Sequence, residues 1–341
     1  MKTCFLAWKE FRRGKRNRLD VQEFEFSLED NLFQLYRELK TKTYQHSHYT
    51  SFIVRDPKLR NINKATVKDR LLHHAVFRIL YSIFDKSFIF DSYSCRVGKG
   101  THRAVNRLEA FCRKLSKNGH LRIFALKCDI KKFFYSIDQD ILLDLIGKKI
   151  KDTDAIWIIE KIIKSFNKGL PLGNVTSQLF ANICLNELDQ FIKHKLKEKY
   201  YLRYCDDFLI LSRKKENLTK LISLINEFLK TNLNLSLHPN KIIIRKHKQG
   251  IDFLGYIVLP HHRILRTKTK RRILKKILEE HKYFKNGSIS EISFNRSLQS
   301  YLGILKHCRG WEIFKKIITI TYLTALVVSD ILYFIMSGRA F

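Results

Sequence analysis

Two adjacent carboxylates, Asp206 and Asp207, close the stretch Tyr204-Cys205-Asp206-Asp207. Apolar runs flank it, Tyr201-Leu202 before and Phe208-Leu209-Ile210-Leu211 after. The pattern predicts a β-hairpin whose turn carries two like charges, which is costly unless a cation lies beside them. A third carboxylate, Asp129, follows another strand-like run, Leu121-Arg122-Ile123-Phe124-Ala125-Leu126. Three aspartates at strand ends suffice to hold two divalent ions for in-line phosphoryl transfer. Hard ions such as Mg²⁺ take oxygen ligands, backbone carbonyls included, so the Ile130 carbonyl joins the candidate set.

Helical spacing of apolar residues predicts helices at 28–39, 68–86, 101–118, 139–150, 153–167, 175–197 and 215–232. Two more follow at 268–284 and 290–308, the first basic along one side (Lys268, Lys270, Arg271, Arg272, Lys275, Lys276). Residues 50–64 alternate and turn at Asp56-Pro57, predicting a hairpin, and strands are expected near 241–246 and 251–258. Alternating helices and strands around an antiparallel central hairpin indicate an α+β fold, not a Rossmann sheet.

The 341 residues carry 65 Lys and Arg against 32 Asp and Glu, a formal net charge of +33. That surplus favours a polyanionic partner, bound with a steep salt dependence. The seven cysteines show no metal-ligand spacing and read as reduced thiols of a cytoplasmic protein. The N-terminus is basic without the apolar stretch of a signal peptide. Residues 317–336 hold one charge, Asp330, and are long enough to span a bilayer. Asp330 and several hydroxyls make a helix buried in protein the preferred reading and a membrane anchor the alternative.

These segments together resemble the reverse transcriptases of bacterial retroelements and group II introns. Asp129 with Phe133-Phe134-Tyr135-Ser136-Ile137 resembles their motif A. Gly169 through Gln178 resembles motif B, Tyr204 through Asp207 motif C, His238 through Lys241 motif D, and Phe253-Leu254-Gly255-Tyr256 the primer grip. Upstream, Ser92 through Gly100 resembles the fingers motif. The resemblance implies a right-hand polymerase with an antiparallel palm sheet and a helical thumb. The expected division is a basic N-terminal extension (1–45), fingers (46–120), palm with finger insertions (121–260), helical thumb (261–312) and a hydrophobic C-terminal helix (313–341).

It further implies RNA-directed DNA synthesis with two Mg²⁺ ions on Asp129, Asp206 and Asp207, a template RNA, a primer that becomes cDNA, and dNTPs. Phe134, five residues after Asp129, is expected under the nucleotide sugar, where its ring would exclude a 2′-hydroxyl. In an extended backbone Phe133 would point the other way, into the core. Arg55, Lys58 and Arg60 are candidates to clamp the triphosphate, with Arg96 a further one. Gly173 and Gln178 would meet the nucleotide and template. Tyr204, Cys205, Leu254 and Gly255 would meet the primer. Lys241 is either the proton donor to pyrophosphate or a phosphate contact. The pairs His73-His74 and His261-His262 are expected on helix surfaces or facing RNA.

At Leu172 most relatives carry Gln. The pattern Leu172-Gly173-Asn174 followed by Ser177-Gln178 resembles diversity-generating retroelement enzymes, which copy RNA with mutation at adenines. Leu cannot hydrogen-bond the sugar, so loosened fidelity is one expectation and simple packing of Leu172 the other. An anti-phage defence enzyme copying its own non-coding RNA is the competing role, and an accessory protein partner is open in either. A catalytically silent RNA-binding scaffold and a metal-dependent nuclease are the readings from other classes. At 341 residues no added ribonuclease H or endonuclease domain is expected.

Overall fold

The computed structural model describes residues 2–56 and 58–321. In chain order the elements begin with α1 (Lys2–Phe11), α2 (Leu19–Phe26), α3 (Leu28–Lys40), β1 (Thr50–Val54), β2 (Arg60–Lys64), α4 (Val67–Phe84) and α5 (Thr101–Ser116). Next come β3 (Phe124–Asp129), the single turn α6 (Phe133–Ser136), α7 (Gln139–Gly147), α8 (Thr153–Lys164) and α9 (Val175–Gln190). Then follow β4 (Tyr201–Tyr204), β5 (Asp207–Ser212), α10 (Lys215–Leu233), β6 (Ile243–Lys246), β7 (Ile251–Phe253), β8 (Tyr256–Val258) and β9 (Arg263–Leu265). The helices α11 (Thr267–Lys285), α12 (Glu291–Leu305) and α13 (Trp311–Thr321) end the described chain.

The chain divides into two compact units. The first holds residues 1–100, 127–210 and 216–243. A four-stranded sheet follows the order β4-β5-β3-β6. The β4–β5 pair is antiparallel, with Tyr204 opposite Asp207. Phe208, Leu209 and Ile210 are wholly buried, so β5 reads as an unbroken apolar run because both faces are covered. β1 and β2 form the expected hairpin, but Phe52, Ile53 and Val54 stay exposed.

The N-terminal residues do more than add charge. Trp8 and Phe11 are buried, and α1 packs on α4, with Phe11 edge-on to His74 at 5.5 Å. Arg78 of α4 pairs with Glu10, and Arg70 with Asp20, which ties α1 and α2 to α4. The Thr66 side chain caps α4, accepting from the Asp69 N–H.

The second unit holds residues 101–126, 211–215 and the chain from 244 onward. The segment expected as one strand over 251–258 is instead a hairpin, β7–β8, extended by β9. Leu254 at φ 50° and Gly255 at φ 89° make the turn. Two successive left-handed residues match the twist of a two-residue hairpin, which an apolar run with one glycine conceals. Helices α11 to α13 pack through Ile273, Ile277, Phe294, Leu298 and Ile317. The apolar stretch 317–336 falls largely outside the described residues. Among those described, no helix is long and apolar enough to cross a membrane.

Candidate active site

Asp129 ends β3, and Asp206 and Asp207 lie at the β4–β5 turn; β3 and β5 are neighbours in the sheet. The fold therefore gathers the three carboxylates that the sequence separates. Burial, followed by the charge of Asp129, pushes the Asp206 carboxyl above the usual carboxylate range. Burial pushes Asp207 up to about 6 despite the opposing charge of Lys127. Lys241 Nζ stands 2.7 Å from Asp129 Oδ1, and Lys127 Nζ stands 3.2 Å from Asp207 Oδ2. The two ammonium groups supply positive charge beside two of the three carboxylates.

Asp207 Oδ1 is buried and meets no hydrogen-bond donor. An orphaned carboxylate oxygen beside two further carboxylates is a donor set that suits a hard divalent cation. As the side chains stand among the described residues, no three of His, Cys, Asp or Glu surround one point. Two of the three aspartates face lysines instead. The Ile130 residue is fixed by an antiparallel bridge to Leu237. The flanking bonds, His238 N–H to the Asp129 carbonyl and Lys131 N–H to the Ser236 carbonyl, leave the Ile130 carbonyl out of that bridge.

After Asp129 the backbone is not extended, as the alternation of Phe133 and Phe134 assumed, but turns into α6. Phe133 is nevertheless the core ring, 3% exposed, while Phe134 is half-buried. The two rings meet edge-on at 5.4 Å. The Phe134 carbonyl accepts from the Leu170 N–H at 2.7 Å, joining the motif A turn to the start of motif B. Gly169 makes that approach feasible: at φ 66°, a Cβ there would lie 2.3 Å from the Phe134 carbonyl oxygen.

The motif B loop is also tied to β2. The Leu172 carbonyl accepts from the Asn63 N–H at 2.8 Å, and a Cβ on Gly173 would meet the Asn63 carbonyl at 2.8 Å. Leu172 is half-buried and Gln178 exposed on α9. Arg55, Lys58 and Arg60 are all exposed around the β1–β2 turn. Tyr204 and Cys205 flank the aspartates, Cys205 at φ 56°. Leu254 and Gly255 form the β7–β8 turn of the second unit.

Two expectations are overturned. Arg96 does not face outward to a triphosphate; its side chain is 8% exposed. Its guanidinium donates to Asp85 Oδ1 at 2.6 Å and to the Ile89 and Ser92 carbonyls, so it staples its own loop. His73 is likewise no surface residue. It is 1% exposed, with Nε2 3.2 Å from His46 Nε2 and Nδ1 3.3 Å from Thr176 Oγ1. Burial pushes it down to about 3, and pushes His74 down to about 4. His261 and His262 are exposed as expected.

Sequence reasoning missed Lys127 and a buried network around Arg203. Asp189 holds Arg203 in a bidentate pair, Nε to Oδ1 at 2.8 Å and Nη2 to Oδ2 at 2.6 Å. Both side chains are fully buried. A lone Arg on an apolar strand was the available signal, because such a charge is buried only with a partner.

Three aspartates at the ends of neighbouring strands, and a glycine loop that leads into α9, are what the fold and the site present. Residues 54–258 match the sequence profile of the family described as reverse transcriptase (RNA-dependent DNA polymerase), and the chain belongs to that family. The group II intron-encoded protein LtrA of Lactococcus lactis subsp. cremoris is 24% identical over 85% of this chain and 57% of its own length. Protein YkfC of Escherichia coli (strain K12) is 23% identical over 62% of this chain and 65% of its own. The chain thus spans less than two thirds of the length of these relatives. Among solved structures, telomerase from Candida albicans, in complex with a fragment of telomeric RNA, superposes with a TM-score of 0.55. That match has 12% identity and covers 87% of this chain and 58% of that one. The fold is the right-hand polymerase fold, α+β.

Proposed function

We propose that this protein is an RNA-directed DNA polymerase that extends a DNA primer along a template RNA. The proximity of Asp129, Asp206 and Asp207, close enough that the charge of Asp129 adds to burial in raising the other two carboxyl groups, with Asp207 Oδ1 buried and donorless, carries the reading. These three residues would hold two Mg²⁺ ions, with the Ile130 carbonyl as a further oxygen. Bound there, divalent ions would neutralise charge building on the α-phosphate and lower the pKa of the attacking hydroxyl. In phosphoryl transfer the protein contributes chiefly position and electrostatics. Arg55, Lys58 and Arg60 hold the triphosphate from the exposed hairpin. Phe134 presents its ring to the sugar, and Gly173 and Gln178 meet the nucleotide and the template. Lys241, at Asp129, gives a proton to the departing pyrophosphate in this reading, a phosphate contact being its alternative role.

In this reading residues 46–120 act as fingers, 121–260 as palm and 261–312 as thumb, in the cytoplasm. The net charge of +33 supports a nucleic-acid partner. The Leu172 pattern favours error-prone copying of a retroelement template over a defence enzyme's own non-coding RNA. Neighbouring genes separate these two, since a repeat pair beside a small accessory protein marks the first. Primer extension on an RNA template tests the activity itself. Asp206→Asn and Asp129→Asn should lose on the order of 10³-fold or more, equivalent to several kcal/mol of lost charge stabilisation. RNA retention should persist. Near-wild-type extension by either variant would remove the assignment.

A further inference from the structure

Arg203 immediately precedes the Tyr204–Asp207 motif and is 0% exposed, as is Asp189 on α9. Burying an ion pair is expensive, and an apolar pair of similar volume commonly serves stability as well or better. Fold stability alone therefore gives no reason for a guanidinium at this position. What an apolar residue cannot supply is a donor. Two of the five N–H groups of Arg203 go to Asp189, one through Nε and one through Nη2. Its Nη1 donates to Asn182 Oδ1 and to the Cys205 carbonyl, each at 3.1 Å.

That carbonyl belongs to the most strained residue of the turn. Cys205 sits at φ 56°, a conformation that is unfavourable for a non-glycine residue and persists only where surroundings hold it. The next peptide begins Asp206. The orientation of the Cys205–Asp206 peptide therefore helps decide where the Asp206 carboxylate stands.

The rest of the network keeps the guanidinium still. Tyr201 Oη donates to Asp189 Oδ1 at 2.6 Å. The Arg203 backbone donates to the Asp91 carbonyl and accepts from the Tyr93 N–H, each at 2.9 Å. Asn182 Nδ2 donates to the Ser94 carbonyl at 2.9 Å. Asn182 and Asp189 both lie on α9, the helix that starts at Asn174 beside the Gly173 loop. One buried fork thus connects the nucleotide-side helix to the carboxylate turn.

We propose that Arg203 is a positioning residue for the active site: through the Cys205 carbonyl it fixes the strained turn that presents Asp206. This rests on the reading of Asp206 as a metal-holding carboxylate. Outer partners of metal ligands typically contribute about 10- to 100-fold to metal affinity or activity.

The test is the double variant Arg203→Met/Asp189→Leu, which removes both charges together, with Arg203→Lys beside it, which keeps the charge and loses the fork. Thermal unfolding, Mn²⁺ binding by calorimetry, dNTP kinetics and amide exchange of the 204–207 peptide are measured on the full chain. The double variant should keep a near-wild-type Tm. Its Mn²⁺ affinity and kcat should each fall about 10- to 100-fold, the dNTP KM should stay put, and exchange at Cys205 and Asp206 should quicken. Arg203→Lys should show the same losses, and it carries the test if the double variant fails to fold. Wild-type Mn²⁺ affinity and kcat in either folded variant overturns the proposal. So does a fall in kcat that only tracks Tm while Mn²⁺ affinity holds. Asp206→Asn serves as control. If it stays active, the reading of the site fails; if it is inactive while the Arg203 variants match wild type, the positioning role alone fails.

Discussion

Lys241 Nζ lies 2.7 Å from Asp129 Oδ1, across 112 residues of sequence. The contact joins the loop before β6 to the end of β3, and it puts an ammonium group at the carboxylate cluster. Lys241 is 42% exposed, so the pair itself contributes little to stability.

Lys241→Met should therefore leave Tm almost unchanged and lower kcat about 10²-fold, the scale of a lost general acid. Single-turnover incorporation at saturating dNTP checks it. A raised dNTP KM with intact kcat would make Lys241 a phosphate contact instead.

Sugar selection should reside in Phe134, the half-buried ring, and not in Phe133, which is core. Phe134→Ala should raise ribonucleotide incorporation relative to deoxyribonucleotide by about 10- to 100-fold, the range for relieving one steric exclusion. Phe133→Ala should instead cost about 3–5 kcal/mol of stability as a buried cavity. Competition between rNTP and dNTP in primer extension decides between the rings.

Leu172→Gln restores a hydrogen-bonding side chain beside the nucleotide loop without touching the backbone bond from Asn63. A hydrogen bond of about 0.5–1.5 kcal/mol corresponds to roughly 2- to 12-fold in discrimination. Misincorporation should fall by that factor, most visibly opposite template adenines. Sequencing cDNA from both enzymes on one RNA reads the outcome, and identical error spectra would end the mutagenic reading.

Acid should destabilise the protein earlier than its carboxylates alone would dictate. Burial among His46, Asp69, His74 and Thr176 pushes His73 down to about 3. The unfolded chain takes a proton there below about pH 6.5, and the folded chain does not until about 3. The contribution is fully present above pH 6.5 and declines as pH falls, by up to about 1.4 kcal/mol per unit. His74, pushed down to about 4, adds to the same limb. In His73→Gln the slope of Tm against pH between 6.5 and 4.5 should flatten in part; an unchanged slope with a uniform Tm offset would refute it.

The order of the motifs, the three aspartates and most helices could be read from the chain, because spacing at 3.6 residues and adjacent charges at a turn are local signals. α3, α4, α5, α10 and α11 fall within a few residues of their expected bounds. Gly169 and Gly173 could be recognised as special, but only the approaching carbonyls of Phe134 and Asn63 show why a side chain is excluded. Which ring after Asp129 is core could not be read from alternation, since the backbone there turns helical. The partners of long polar side chains were least accessible of all. Arg96, His73, Arg203 and Lys241 look alike as polar residues in a basic sequence. Tertiary packing alone assigns one to a loop staple, one to a buried imidazole network, one to the carboxylate turn and one to Asp129. A charge contributes through whatever lies within a few ångströms of it, and the sequence by itself does not specify distance across a fold.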